Sequence, residues 1–148
     1  MNGTVDRRIA YLLMRLAVGF SLFGHGLVRI PRLSTFHAHL TGQFTHSIVP
    51  TTVVSVCGYV LPFVEFCIGL MLIVGLFTRI ALVAGVLLMT MLIFGSTTIE
   101  SYSIISEQLI HASILAVLIA FLDQNSFSID HALARRRSSA DSLSRRYA

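Results

Sequence analysis

The chain has 148 residues, of which 55% are hydrophobic and 12% charged, with a mean hydropathy of +0.80. That charged share is about half of what a soluble domain carries, and it excludes disorder over most of the chain. The charge is also unevenly placed. All 11 basic residues are Arg, and they crowd toward the two ends.

Four apolar stretches are long enough to cross a bilayer, which takes about 20 residues of helix. They run over residues 9–30, 53–76, 80–98 and 104–122. None alternates as a strand does, and helices satisfy the backbone inside lipid. The expected fold class is therefore all-α integral membrane, a four-transmembrane-helix bundle. Arg7 and Arg8 ahead of an apolar run look like the start of a signal peptide. Arg15 interrupts that run and no small-x-small cleavage site follows, so the first span is read as a retained helix.

Residues 31–52 form the one long loop. It holds Pro31, Gly42, Pro50 and three histidines, His37, His39 and His46. The spacing of these histidines matches no usual ligand pattern, so they are read as solvated and no metal is assigned. The few residues around Thr78-Arg79 leave room only for a tight hairpin between the second and third spans. Residues 1–131 are then the membrane domain. Residues 132–148 are an Arg- and Ser-rich tail, expected to be disordered.

An even number of spans puts both termini on one side. Arg7, Arg8, Arg79, Arg135, Arg136, Arg137, Arg145 and Arg146 share that side, against Arg29 and Arg32 on the other. Excess positive charge marks the cytoplasmic face. The expected location is a bacterial or archaeal inner membrane with cytoplasmic termini. The tail arginines then serve topology and attraction to anionic lipid. No aromatic reading platform accompanies them, so nucleic acid is not an expected partner. Cys57 and Cys67 lie ten residues apart, about 15 Å along one helix, too far to bridge.

Ionisable groups at membrane depth are costly and point to function. The spans contain Arg15, His25, Glu65, Glu107 and His111, with Gln108 as an uncharged neighbour. Glu65 falls near the midplane and Arg15 near the cytoplasmic end of the first span. An Arg15–Glu65 ion pair would keep both charged. The alternatives are a protonated Glu65 that takes part in proton transfer, or an Arg15 that snorkels to water while Glu65 bonds elsewhere. His25, Tyr59 and His111 fall at nearly one level at the other end, and Glu107 and His111 share a face at i, i+4. Imidazole with Tyr and Glu beside it suits a quinone carbonyl and proton relay. Two histidines on separate helices also suit haem b, and each histidine bonded simply to a neighbouring helix suits the spacing as well.

Three motifs carry a family resemblance. The first is Leu12-Leu13-Met14-Arg15-Leu16-Ala17-Val18-Gly19 followed by His25-Gly26. The second is Pro62-Phe63-Val64-Glu65-Phe66-Cys67-Ile68-Gly69, continuing through Gly75-Leu76-Phe77-Thr78-Arg79. The third is Phe127-Ser128-Ile129-Asp130. Together they resemble the DoxX/DoxD-like family of small four-helix membrane proteins. That resemblance implies the membrane subunit of a thiosulfate:quinone oxidoreductase, or a membrane partner of a soluble oxidoreductase.

The resulting expectation is a membrane subunit of a redox complex, passing electrons from a small, reduced-sulfur donor to quinone. His25, Tyr59 and His111 would orient the quinone, and His25, Glu107 and His111 would act in catalysis. Arg15 and Glu65 would hold the helices, and Arg29 and Arg32 would attract an anionic donor. The rival expectation is a non-catalytic anchor for a soluble oxidoreductase. A haem-binding bundle and a small transporter are further alternatives. A homo-oligomer is compatible with the glycines at 69, 75, 85 and 95.

Overall fold

The computed structural model describes residues 3–136. Its α-helices follow in the order α1 (Gly3–Arg29), α2 (Leu33–Gln43), α3 (Thr51–Val74), α4 (Thr78–Thr98) and α5 (Tyr102–Ala120). Short 3-10 turns cover Ile30–Arg32 and Leu122–Gln124, and a last helical stretch covers residues 129–136. No strand occurs among the described residues. The helices α1, α3, α4 and α5 are long and apolar enough to cross a membrane. The protein is a four-helix membrane bundle, as the sequence leads one to expect. The expectation of a disordered tail is corrected for residues 132–136, which are helical. Its remainder, 137–148, lies outside the described residues.

The expected long loop at 31–52 is mostly helix. Pro31 sits in the 3-10 turn, α2 follows, and only residues 44–50 are irregular. The cause is visible in the spacing of Leu33, Phe36 and Leu40, which fall on one helical face. Polar residues and the flanking prolines obscure that period. α2 lies on α3. His37 stacks on Tyr59 with ring centroids 4.2 Å apart, and its Nε2 meets Ser55 Oγ at 2.9 Å. Gly58 makes room for the His37 ring: a Cβ there would lie 3.1 Å from it.

The bundle is built from two close pairs. α1 runs along α3, and their backbones nearly touch. A Cβ at Gly26 would fall 2.5 Å from the Pro62 carbonyl oxygen, and one at Gly69 would fall 2.2 Å from the Phe23 amide nitrogen. α4 packs on α5 through side chains, with Leu115 seated 3.0 Å from the Cβ position of Gly85. Between the pairs lie Leu22, Leu72, Leu82, Leu115 and Leu118, all buried.

One end of the bundle is knotted. Gly75 ends α3 at φ +71, and Phe77 starts α4 at φ 48, a left-handed backbone that a side chain rarely adopts. Asp130 holds this turn by accepting hydrogen bonds from the Phe77 amide at 2.8 Å and the Thr78 amide at 2.7 Å. Arg15, only 2% exposed, donates to Asn125 Oδ1 at 2.6 Å and to the Phe127 carbonyl at 2.8 Å. Asn125 in turn donates to Thr78 Oγ1. The knot therefore joins α1, the α3–α4 turn and the segment after α5.

Candidate functional site: a polar-headed cavity at the α2 end

At the opposite end the two pairs separate around a cavity of about 410 Å³. Leu22, Leu61 and Met89 form its apolar interior, and Phe36 and Leu40 of α2 close it from the side. Phe44 and Val49 carry the chain across its mouth. That strap is fastened to α4 where Ser47 Oγ donates to Thr98 Oγ1 at 2.9 Å and Phe44 rests on Gly95. The size falls within the range of about 300–1,000 Å³ usual for small-molecule sites.

Polar groups from four helices converge on this cavity: His25 and Arg29 of α1, His39 of α2, Glu65 of α3, and Glu107, Gln108 and His111 of α5. The expected Arg15–Glu65 pair is not formed. Glu65 pairs with Arg29, whose Nη1 donates to Oε2 at 2.5 Å. The antiparallel register explains the change of partner. It sets Gly26 beside Pro62, Gly19 beside Leu72 and Arg15 beside Gly75. Glu65 therefore faces the far end of α1, and Arg15 faces the knot. The Arg29 guanidinium also lies 4.8 Å over the Phe36 ring, a cation–π contact that ties α2 to the pair.

His111 is fully engaged. Its Nδ1 lies 2.8 Å from the Glu107 carbonyl oxygen, and its Nε2 lies 2.8 Å from Ser21 Oγ. A carbonyl only accepts, so Nδ1 carries the hydrogen, and in that tautomer of the neutral ring Nε2 accepts from Ser21. The lone pair that a haem iron needs is thus already used, and this arrangement does not fit haem ligation through His111. His25 stands edge-on to His111, with ring centroids 6.4 Å apart, and makes no hydrogen bond among the described residues.

The remaining expectations divide. His25, Glu107 and His111 all line the cavity. Tyr59 is not: it is 48% exposed, stacks on His37 and does not line the cavity. The helical turn that carries Glu65 inward carries Tyr59 outward. Arg29 has Glu65 as partner, so it is not a free attractor for an anion, and Arg32 is exposed away from the cavity. The three histidines of the expected loop separate. His37 bonds Ser55, His39 lines the cavity and His46 is exposed. Both cysteines are free, and Cys57 lines the cavity.

Sequence reasoning missed Ser21, Ser96 and the role of Gln108. The signal for Ser21 was its place four residues before His25, on the same helix face. Gln108 Nε2 donates to Ser96 Oγ at 3.0 Å, while its Oε1 is buried with no donor.

Residues 7–106 match the model of a family described as methylamine utilisation protein MauE. The chain belongs to the MauE family. The match covers more than half of the chain, and it overturns the resemblance to the DoxX/DoxD-like family drawn from the three motifs. No curated protein and no solved structure matches. The MauE match contains His25, Arg29 and Glu65 but stops short of Glu107, Gln108 and His111. The motifs misled because they encode packing. Gly69 and Gly26 permit the α1–α3 approach, and Gly75 through Thr78 build the turn at the knot. Any bundle with that pairing needs such residues, whatever its chemistry.

Proposed function

We propose that this MauE-family membrane protein is an accessory component of a redox system, and that its cavity holds a quinone-class head group. The observation that carries the reading is the cavity itself: an apolar chamber lined by imidazole, guanidinium and carboxylate groups from separate helices. An aromatic carbonyl ring fills apolar space and takes hydrogen bonds at its oxygens. In this reading His25 and Arg29 donate to those oxygens, and His111 with Ser21 holds a proton near them. The electrons belong to a partner oxidoreductase, the accessory chain supplying the membrane site. The family's description as methylamine utilisation proteins supports a redox setting of this kind.

The arginines support an orientation. Arg7, Arg8, Arg79, Arg135 and Arg136 belong to the knotted end, and Arg29 and Arg32 to the cavity end. By the positive-inside rule the knot and the termini face the cytoplasm, and the cavity opens toward the other side.

Titration of the purified full chain in detergent with decylubiquinone tests the reading. Saturable binding near one per chain is expected. Loss of one hydrogen-bonding contact in His25→Ala is expected to weaken it about tenfold. Absence of saturable binding by the unaltered protein would remove the reading.

A further inference from the structure

The cavity lining offers acceptors beside the His25 and Arg29 donors. Glu107 contributes a carboxylate, while Glu65 is paired with Arg29. Gln108 adds a further acceptor of a particular kind. Its carboxamide is fixed on one side by Ser96 Oγ, and Oε1 is sealed from solvent with no donor among the described residues. A buried acceptor left without a donor is expensive, and satisfied buried polar atoms are the rule. The terminal torsion of a glutamine is soft, so a small rotation brings that oxygen to a ligand in the cavity that Gln108 lines.

We infer that Gln108, held by Ser96, is the contact by which this cavity distinguishes the two redox states of its ligand, and that it favours the reduced, hydroxyl-bearing form. This rests on the quinone-class reading of the cavity. A quinone presents only acceptors at its ring oxygens, whereas a quinol presents O–H donors. A quinol hydroxyl donating to Gln108 Oε1 satisfies the orphaned oxygen, and a quinone carbonyl facing it leaves the oxygen unpaired and adds repulsion. The Glu107 carboxylate, which also lines the cavity, acts in the same direction.

The size of the effect follows from one buried hydrogen bond made or left unmade, about tenfold in affinity. Tighter binding of the reduced form raises the midpoint potential of the bound couple. For a two-electron couple a tenfold preference corresponds to about 30 mV.

The test compares decylubiquinol and decylubiquinone on the full-length protein in one detergent, the quinol kept reduced under argon. Quinol is expected to bind about tenfold more tightly. Gln108→Leu is expected to abolish the preference while still binding both forms, and Gln108→Glu, which retains acceptors, to keep it. Thermal unfolding of each variant checks that it folds. Equal affinities in the unaltered protein, or a preference that survives Gln108→Leu, would overturn the inference. A preference for the quinone would do so too, since it would place the amide nitrogen toward the ligand. Failure of both forms to bind would instead remove the quinone-class reading on which the inference stands.

Discussion

Glu65 has a side chain only 4% exposed, and it is paired with Arg29. A buried carboxylate depends on such a partner far more than an exposed one does. Arg29→Ala is therefore expected to cost about 3–5 kcal/mol, because it strands the Glu65 charge. The double variant Arg29→Met with Glu65→Met is expected to recover much of that loss, since no charge is left behind. Thermal unfolding in detergent measures both. A double variant less stable than Arg29→Ala would show that Glu65 does not depend on Arg29 for its charge. The need for an arginine partner was legible in the sequence; which arginine was not. Depth arithmetic treats each helix alone, and the partner is fixed by the register between helices. Arg15 and Arg29 lie about 21 Å apart along α1, so a wrong register moves a charge from one end of the molecule to the other.

That register is set where helices touch backbone to backbone, at the scale of the element. Gly26 and Gly69 lie in the α1–α3 seam, and a methyl group on either would meet main-chain atoms that cannot yield. Gly24 has nothing within 4 Å of its Cβ position. Gly69→Ala is expected to destabilise the bundle by about 3 kcal/mol. Gly24→Ala is expected to stay within about 0.5 kcal/mol of the unaltered protein. Equal melting points for the two variants in detergent would show that the close approach does not hold the pair together. The four spans were readable because length and apolarity suffice for a helix in lipid. Their glycines were readable as permissive but not as paired, since composition does not say which glycine meets which carbonyl. α2 escaped notice for a related reason. Its apolar face is short, and its histidines and threonines read as loop until Phe36 and Leu40 are seen closing the cavity.

The whole molecule is two helix pairs, knotted at one end and parted around a cavity at the other. The parted end was half legible: helix rise alone placed His25, Tyr59 and His111 at one level, and of these Tyr59 does not line the cavity. Ser21 and Ser96 were missed, and Gln108 was noted only as an uncharged neighbour, because an uncharged polar residue gains meaning only from its neighbours. The knotted end was the less legible one, because Asp130 reaches the α3–α4 turn across more than fifty residues of chain. Burial alone would raise the Asp130 carboxyl, but hydrogen bonds from Thr78 and the Phe77 amide, with Arg15 nearby, hold it below its ordinary value of 3.8. A carboxyl lowered in the folded state stabilises the fold fully above its ordinary value. That contribution fades as the pH falls through the lowered one. Asp130→Ala removes both amide contacts at the start of α4, and at neutral pH it is expected to cost about 1 kcal/mol. The gap in melting temperature between the two proteins should then narrow as the buffer is taken from pH 7 to below the ordinary carboxylate value. A gap that stays constant over that range would mean that the Asp130 charge does not fasten the knot, and that Arg15, Asn125 and the turn hold it unaided.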